Sequence, residues 1–410
     1  MPLRKISRFE QDFIDLIYKL AEISNIELTE YIVQYGCEDI DSFLTGLFKV
    51  DLTGLRDGQK IKRQVLLKWH PEAKMRSCFR ECYKREVVFY HDIMPKFLDI
   101  QNTFKNIEGL KIKFPNCIYA SSEYDKETVA TLLLRDNGFR LHNRLDAADM
   151  GHVSLVMKNL AKLHALSFAL EKTSPQEFEE ITRLCHKDVQ YSNPGPVPKS
   201  MRSYYDASVD VVLDPIARDK LKNLAPDILN ILHKCVQPDA YSTICHGDCW
   251  NNNMLFKYKG MKPVDVIFFD YQLTRYATPV TDISYYLYMS TDKDFLNKHY
   301  SLIIEIYYGT LSAVLRQCDL DVDDIYPRNV FQKHLKDYSV LGLIEALVSM
   351  MIITAPYEEA LKMTEMKYEH EDQEICENDY QNRNVYADRI NGIVSDFFER
   401  SYSLDAVLRK

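Results

Sequence analysis

Several common signals are absent from this 410-residue sequence, and each absence removes a class of protein. It contains no Gly-x4-Gly-Lys-Ser/Thr pattern and no Gly-x-Gly-x-x-Gly pattern, so neither a P-loop nor a Rossmann dinucleotide site is predicted. A positive charge excess is also missing, because the formal net charge is −9. Proteins that bind nucleic acid usually carry a basic face. We therefore expect no nucleic-acid partner.

Segments that would direct the chain into a membrane are lacking as well. The residues that follow Met1 include no apolar run that resembles a signal peptide. No run of about 18 uncharged apolar residues occurs, which argues against a membrane-spanning helix. The 10 cysteines are scattered without paired spacing, as is typical of free thiols in a reducing compartment. These features predict a cytoplasmic protein with no membrane partner.

The order of patterns along the chain predicts two lobes of unequal size. The first part contains strand-like runs, an amphipathic helix predicted over residues 8–23 and a second predicted helix from Phe79 to Tyr90, whereas helical periodicity dominates the second part. The turn-rich run Arg135–Phe139 is interpreted as the hinge, so the predicted lobes are residues 1–135 and 136–410. Residues 171–200 are polar and end in a proline-rich run, which predicts a loop. The length is sufficient for two lobes.

Two charged residues in the first lobe allow two interpretations. Lys68 lies in the strand-like run Gln64–Trp69, and Glu86 lies on a predicted helix from Phe79 to Tyr90 that should end near Pro95. Taken alone, each residue is more typical of an exposed surface. A lysine on a strand followed by a glutamate on a helix also fits an ion pair beside nucleotide phosphates.

The second lobe contains a more specific pattern around a predicted β-hairpin. The runs Met254–Tyr258 and Val264–Phe269 are rich in apolar and aromatic residues, as strands are, and a Lys-Gly turn signal lies between them. Folding of this hairpin would bring Asp248 and Asn253 close to Asp270. A base carboxylate, an amide and a second carboxylate around one point are what phosphoryl transfer from a magnesium nucleotide requires. The sequence therefore predicts a catalytic base at Asp248 and magnesium ligands at Asn253 and Asp270.

Other chemistries were weighed against the same residues. Cys245 and Cys249 flank His246, but no second ligand pair follows at zinc-finger spacing. Neither thiol has the partner that a nucleophilic cysteine needs. His164, within an apolar helix, is interpreted as a core histidine. Asp282, at the start of a predicted helix, fits either a helix cap or a brace for the catalytic loop.

Two groups of residues carry a resemblance to a known family. The run from His246 to Asn253, together with Phe269-Asp270-Tyr271-Gln272, resembles the ecdysteroid kinase-like family, relatives of choline kinase and the aminoglycoside phosphotransferases. The resemblance implies an α+β, protein-kinase-like fold, with a small, mainly antiparallel β lobe that includes a helix and a larger, mainly helical lobe. It also implies ATP and Mg²⁺ as cofactors, and a small hydroxylated acceptor such as an ecdysteroid, with no protein partner predicted.

The resemblance also assigns roles to individual residues. Asp248 takes the place of the catalytic base, while Asn253 and Asp270 take those of the magnesium ligands. Lys68 takes the place of the phosphate-binding lysine, and Glu86 that of its ion-pair partner. The covering loop would contribute Thr45 and Gly46. His246 and Asp282 would give structural support to the catalytic loop.

Two other functions stay open at this point. One is a choline-type or amino-sugar kinase, because the 19 Phe and 27 Tyr are sufficient to build a cage for a cationic acceptor. The other is a binding protein that holds a hydrophobic ligand on a kinase-like fold without transferring phosphate.

Overall fold

The computed structural model describes most of the chain, namely residues 8–35, 47–69, 73–105, 108–124, 126–132, 138–186, 188, 190–191, 196–356, 358–360, 363 and 382–409. Three of the site and hinge residues named above, Thr45, Gly46 and Arg135, lie outside these ranges, and so does the predicted boundary between the lobes.

The N-terminal lobe is a five-stranded antiparallel sheet with a helix packed on one face. In chain order its elements are α1 (Arg8–Ile23), β1 (Glu27–Tyr35), β2 (Leu47–Arg56), β3 (Gln59–Lys68), β4 (Cys117–Ser121) and β5 (Thr128–Leu132). The strand order is β1-β2-β3-β5-β4. Apolar residues of α1, including Ile17 and Leu20, form a buried cluster with residues of β2, β3 and β5.

Alternation along β3 explains how one strand serves both the core and a cleft. Val65 and Leu67 belong to the core cluster beneath α1. Leu66 and Lys68 point to the opposite face, because successive side chains of a strand alternate. All four residues are buried, since both faces of this end of β3 are covered. Lys68 therefore lies at the buried end of a central strand, not on an exposed edge.

The helix that carries Glu86 continues further than the sequence predicts. It comprises α2 (Ala73–Val88), a π-helical turn (Phe89–Ile93) and α3 (Met94–Asn102). Pro95 lies in the first turn of α3. A proline is tolerated there because the first backbone N–H groups of a helix have no partner within it. The prediction that the helix ends near Pro95 was therefore wrong.

The C-terminal lobe is mainly helical. Its helices are α4 (Met150–Thr173), α5 (Pro175–Cys185), α6 (Pro196–Asp210), α7 (Pro215–Leu224), α8 (Ile228–Cys235), α9 (Val280–Ser290), α10 (Lys293–Gln317), α11 (Val322–Ile325), α12 (Arg328–Tyr338), α13 (Val340–Thr354) and α14 (Arg383–Glu399). Most of the predicted loop over residues 171–200 is thus helical, because α5 presents an apolar face (Phe178, Ile181) to the core. The two lobes together have the α+β, protein-kinase-like architecture that was expected.

One helical run of this lobe is more apolar than the sequence analysis anticipated. Among the described residues, Arg328–Thr354 alone is long and apolar enough to cross a membrane by composition. Its most apolar window has a mean hydropathy of 1.5, and 94% of that window is buried inside the protein. Burial on all sides is what a central core helix requires, and α13 packs against α6, α9 and α14.

Two small antiparallel sheets position the predicted catalytic residues. One joins β6 (Phe139–Leu141) to the hairpin of β8 (Met254–Lys259) and β9 (Lys262–Phe268). The other pairs β7 (Thr243–Cys245) with β10 (Arg275–Ala277). The predicted hairpin is thus present, with Met254 opposite Phe268. Asp248 follows β7, whereas Asp270 follows β9, so the two small sheets bring both residues to one end of the lobe.

Candidate active site

Three charged side chains from three separate elements meet between the lobes. The Lys68 Nζ atom lies 2.6 Å from Glu86 Oε2 and 2.7 Å from Asp270 Oδ1. These partners are 18 and 202 positions away from Lys68 in the chain. Lys68 lies at the end of β3 and Glu86 in the last turn of α2, whereas Asp270 is the second residue after β9. The exposed-surface interpretation of Lys68 and Glu86 is therefore wrong.

Burial makes the balance of charge at this point important. Burial opposes the charge of Lys68, but the carboxylates of Asp270 and Glu86 outweigh it and hold the pKa of the ammonium group above its ordinary value. Burial raises the pKa of Glu86 to about 7, although the charge of Lys68 opposes this rise. Two carboxylates thus share one ammonium group, and the cluster has a deficit of positive charge.

Asp270 adopts a backbone conformation that fixes the direction of its side chain. Its φ of 66° and ψ of 61° place it in the left-handed region, which Asp and Asn tolerate better than other non-glycine residues. The preceding Phe269 N–H donates to the carbonyl of Asn253 at 3.1 Å. The residue that follows β9 is therefore tied to the turn that carries Asn253.

The carboxylate of Asp248 has two side-chain donors. Asn253 Nδ2 donates to Asp248 Oδ2 at 2.9 Å and also to the Asp248 carbonyl at 2.8 Å. The Tyr285 hydroxyl on α9 donates to Asp248 Oδ1 at 2.8 Å. Burial raises the pKa of Asp248 to about 7, and the charge of Asp270 contributes to the rise. The hydrogen bonds from Tyr285 and Asn253 oppose it.

A buried carboxylate holds the turn that precedes Asp248. Asp282 Oδ2 accepts from the His246 backbone N–H at 2.6 Å, and Oδ1 accepts from that of Gly247 at 2.9 Å. Burial opposes ionisation, but hydrogen bonding and charge from His164 outweigh it and hold the pKa of Asp282 below its ordinary value. Only glycine fits position 247, because its φ is 87° and a Cβ atom would lie 1.9 Å from the Leu273 carbonyl oxygen.

His246 faces the backbone of the site. Its Nδ1 atom accepts from the Asp248 N–H at 3.3 Å, so Nε2 carries the proton and donates to the Phe269 carbonyl at 3.0 Å. Burial lowers the pKa of His246, which keeps the ring neutral. The ring thereby links the loop of Asp248 to the end of β9. Both of its hydrogen bonds go to backbone atoms, not to the carboxylates of Glu86 or Asp270.

The alternative metal cluster around Cys245 consists of groups with other partners. Ligand atoms of His164, Cys245 and Asp282 lie within 4.8 Å of one another. Both ring nitrogens of His164 are hydrogen-bonded, one to Asp282 at 3.2 Å and one to the Tyr307 hydroxyl at 2.8 Å. Burial raises the pKa of the Cys245 thiol well above its ordinary value. These groups act as a hydrogen-bonded brace beneath the loop.

One cavity between the lobes contains the charged groups of the site. That cavity is lined by the charged and polar side chains of Lys68, Glu86, Asn253 and Asp270. Its other lining residues are mostly apolar, namely Leu47, Leu66, Tyr90, Val129, Thr131 and Phe269. The cavity thus combines a charged cluster with apolar walls.

Sequence reasoning missed one residue that touches the predicted base. Tyr285 is 37 positions from Asp248, and no motif linked the two. A usable signal was nevertheless present, because Tyr285 follows Asp282 by three positions on one helix. Residues three apart lie on the same helix face. Once Asp282 is placed against the catalytic loop, Tyr285 must face that loop too.

Comparison with known proteins identifies a family. The sequence model of the ecdysteroid kinase-like family matches residues 39–320. A search of curated proteins found no match. Among solved structures, ethanolamine kinase from Plasmodium vivax is 14% identical, with 98% of this chain and 99% of that chain covered and a TM-score of 0.42. The GDP complex of aminoglycoside 2'-phosphotransferase-IIIa is 11% identical, with coverage of 87% and 98% and a TM-score of 0.37.

Proposed function

Because the chain belongs to the ecdysteroid kinase-like family, we propose that it transfers the terminal phosphoryl group of ATP to a hydroxyl group of a small molecule. The observation that carries this proposal is the convergence of Lys68, Glu86, Asn253 and Asp270 on one cleft, with Asp248 hydrogen-bonded to Asn253. These residue types, in this arrangement, are what positioning and charge neutralisation of a phosphoryl group require.

Each residue then has a definite task. Asp248 orients the acceptor hydroxyl and receives its proton, while Tyr285 and Asn253 fix the direction of the carboxylate. Lys68 donates to the nucleotide phosphates, and Glu86 holds the ammonium group in place. The apolar walls of the cleft suit the adenine ring, because Leu47, Leu66 and Val129 present apolar surface there.

The residues present also fit a magnesium ion. Asn253 and Asp270 supply hard oxygen donors at the same end of the cleft, and Mg²⁺ prefers such ligands. The deficit of positive charge around Glu86 and Asp270 favours a cation there. When bound, Mg²⁺ would neutralise charge on the nucleotide phosphates. The same ion would relieve the repulsion between Asp270 and Asp248.

For the acceptor we propose an ecdysteroid or a similar hydroxylated hydrophobic compound, on the basis of the family alone. The test is a screen of the purified chain with Mg-ATP against hydroxylated steroids, choline-like amines and amino sugars, read by mass spectrometry of the phosphorylated product. Product from the steroids alone supports the proposal. Product from the amines alone would establish the choline-type alternative instead. Thermal stabilisation by a steroid without any Mg-ATP effect would favour a binding protein.

Replacement of Lys68 by methionine should mainly weaken productive ATP binding. Each charge-assisted hydrogen bond contributes about 1.5–3 kcal/mol, so the KM for ATP should rise roughly ten- to hundredfold. Steady-state kinetics at varied ATP concentration measure this effect. Lys62→Met is the matched control, because Lys62 lies on the same strand with a 57% exposed side chain paired to Asp51. An unchanged rate of Lys68→Met at limiting ATP would contradict the assigned role.

The pH dependence of kcat/KM should report the ionisation of Asp248. Its pKa is raised to about 7, and only the carboxylate form accepts the hydroxyl proton. We therefore expect kcat/KM to rise about tenfold per pH unit below pH 7 and to level off above it. Glu86 has a pKa raised to about 7 as well, so Glu86→Gln is the necessary control. Its residual activity should keep the same pH profile, and loss of the profile would reassign the ionisation to Glu86.

A further inference from the structure

A second cavity, behind the cleft, contains two buried arginines with unsatisfied donors. It lies between α2, α5 and β10, and its lining includes Arg85, Arg275, His186 and Gln190. Arg85 and Arg275 are each only 5% exposed. The Nη2 atom of Arg85 and the Nε and Nη2 atoms of Arg275 are buried and have no acceptor among the described residues.

Buried guanidinium groups without acceptors are costly, so this arrangement needs a further explanation. Burying a charge is unfavourable unless it is paired and hydrogen-bonded. Arg85 is fixed in place, because its Nη1 atom donates to the Thr274 carbonyl at 2.9 Å. Burial lowers the pKa of Arg85, as expected for a charge with little compensation. The donors that remain point to an acceptor group that the described residues do not supply.

The carboxylates nearest to the cavity have other donors. Asp188 lines the cavity and accepts from His233 Nδ1 at 2.7 Å and from the backbone N–H groups of Gln190 and Tyr191. Glu345 accepts from the Tyr191 hydroxyl at 2.5 Å and from the Gln190 side chain at 3.3 Å. Burial opposes the charge of Arg275, but Tyr191, Asp282 and Glu345 outweigh it and hold the pKa of Arg275 above its ordinary value. The unsatisfied donors of Arg85 and Arg275 nevertheless have no acceptor among the described residues.

We propose that this cavity binds a small oxyanion, such as sulfate or inorganic phosphate, through Arg85 and Arg275. Guanidinium groups present paired donors that match the oxygens of such anions. The enclosed space is small, about 10 Å³, which restricts the occupant to a group of a few atoms. No residue of the ATP-binding cleft is required, so the site is separate from the proposed phosphate transfer.

Such an anion would join two elements of the candidate active site. Arg85 directly precedes Glu86 on α2, and Arg275 follows Asp270 by five positions. Arg275 also lies opposite Cys245 in the β7–β10 pair. Cys245 precedes Asp248 by three positions. An anion bridging the two guanidinium groups would therefore fasten α2 to the strand beside the catalytic loop. The site is thus suited to a small-anion effector that stabilises the arrangement of Lys68, Glu86 and Asp270.

Thermal unfolding with added sodium sulfate tests the proposal. Sulfate stabilises most proteins gradually by exclusion from the surface, whereas a bound anion gives a response that saturates. We expect the Tm of the unmodified chain in sodium sulfate to exceed its Tm in sodium chloride of equal ionic strength. The difference should reach about 2 °C or more and then stay constant as the sulfate concentration rises. Arg275→Met should lack the saturating part.

Arg183→Met is the matched control, since Arg183 lies on α5 with a side chain that is 72% exposed. This variant should keep the saturating response. Arg85→Met provides a second test if Arg275→Met does not fold. A purely gradual response in the unmodified chain would overturn the proposal. The same saturating response in both cavity variants would also overturn it, because the anion would then bind elsewhere, for example beside Lys68. No nucleotide is present, so the outcome is independent of phosphate transfer.

Discussion

Asp248→Asn is expected to lower the turnover number by about 1000-fold, since a positioned general base typically contributes 10²–10⁴. The amide has nearly the shape of the carboxylate; its oxygen can accept from Asn253, and its NH2 group can donate to the Tyr285 hydroxyl. It lacks the negative charge that orients the acceptor hydroxyl and receives its proton. The measurement is kcat with saturating Mg-ATP and the acceptor found in the screen.

The same variant should be more stable than the unmodified chain at pH 8. The pKa of Asp248 is raised from 3.8 to about 7 in the folded protein. Between these values the folded chain binds more protons than the unfolded chain, so the contribution of Asp248 to the free energy of unfolding falls as pH rises. Asn carries no charge and removes this loss. Thermal unfolding at pH 5 and pH 8 measures the difference.

Exposed Asp99 on α3 provides the control. Asp99→Asn should change neither turnover nor the pH dependence of the Tm. Turnover of Asp248→Asn close to that of the unmodified chain would refute the assignment of Asp248. A fall in turnover without the gain in stability at pH 8 would instead show that folding does not raise the pKa of Asp248 above its ordinary value.

Asp270→Asn should abolish the magnesium-dependent part of ATP binding and lower turnover by about 1000-fold, because it removes a charged oxygen ligand. Asparagine is the informative substitution at this position. It tolerates the left-handed backbone that Asp270 adopts, whereas alanine would add strain. The measurement is the Tm with ATP, with and without Mg²⁺. ATP with Mg²⁺ should raise the Tm of the unmodified chain more than ATP alone does. The Tm of Asp270→Asn should rise by the same amount with and without Mg²⁺.

Asp319→Asn is the matched control, because Asp319 is exposed and also left-handed, with a φ of 57°. It should keep the full effect of magnesium. A magnesium-dependent rise in Tm that survives in Asp270→Asn would remove Asp270 from the proposed ligand set. Loss of the effect in both variants would point to a general cost of the substitution in left-handed backbone.

Much of the fold was predictable because it is encoded locally. The hairpin of β8 and β9 follows from two apolar and aromatic runs on either side of a turn, and α1 from its amphipathic spacing. Predictions that depended on packing were less accurate. Pro95 was expected to end a helix, but the chain enters α3 there. A polar composition predicted a loop over residues 171–200, although α5 needs only a narrow apolar face.

The sequence by itself determined the kinds of chemical group and their short-range spacing. Asp248 and Asn253 are five positions apart on one turn, so their contact is local. Alternation along β3 likewise fixed Lys68 on the face opposite to Val65 and Leu67.

Only the tertiary structure decided which distant groups meet. The contacts of Lys68 with Asp270, of Tyr285 with Asp248 and of Arg85 with Thr274 span 202, 37 and 189 positions. Short-range periodicity contains no information on such pairs, because they arise when separate elements bury their apolar faces in a common core. The unsatisfied donors of Arg85 and Arg275 became visible for the same reason, since burial and the absence of an acceptor are properties of the packed chain.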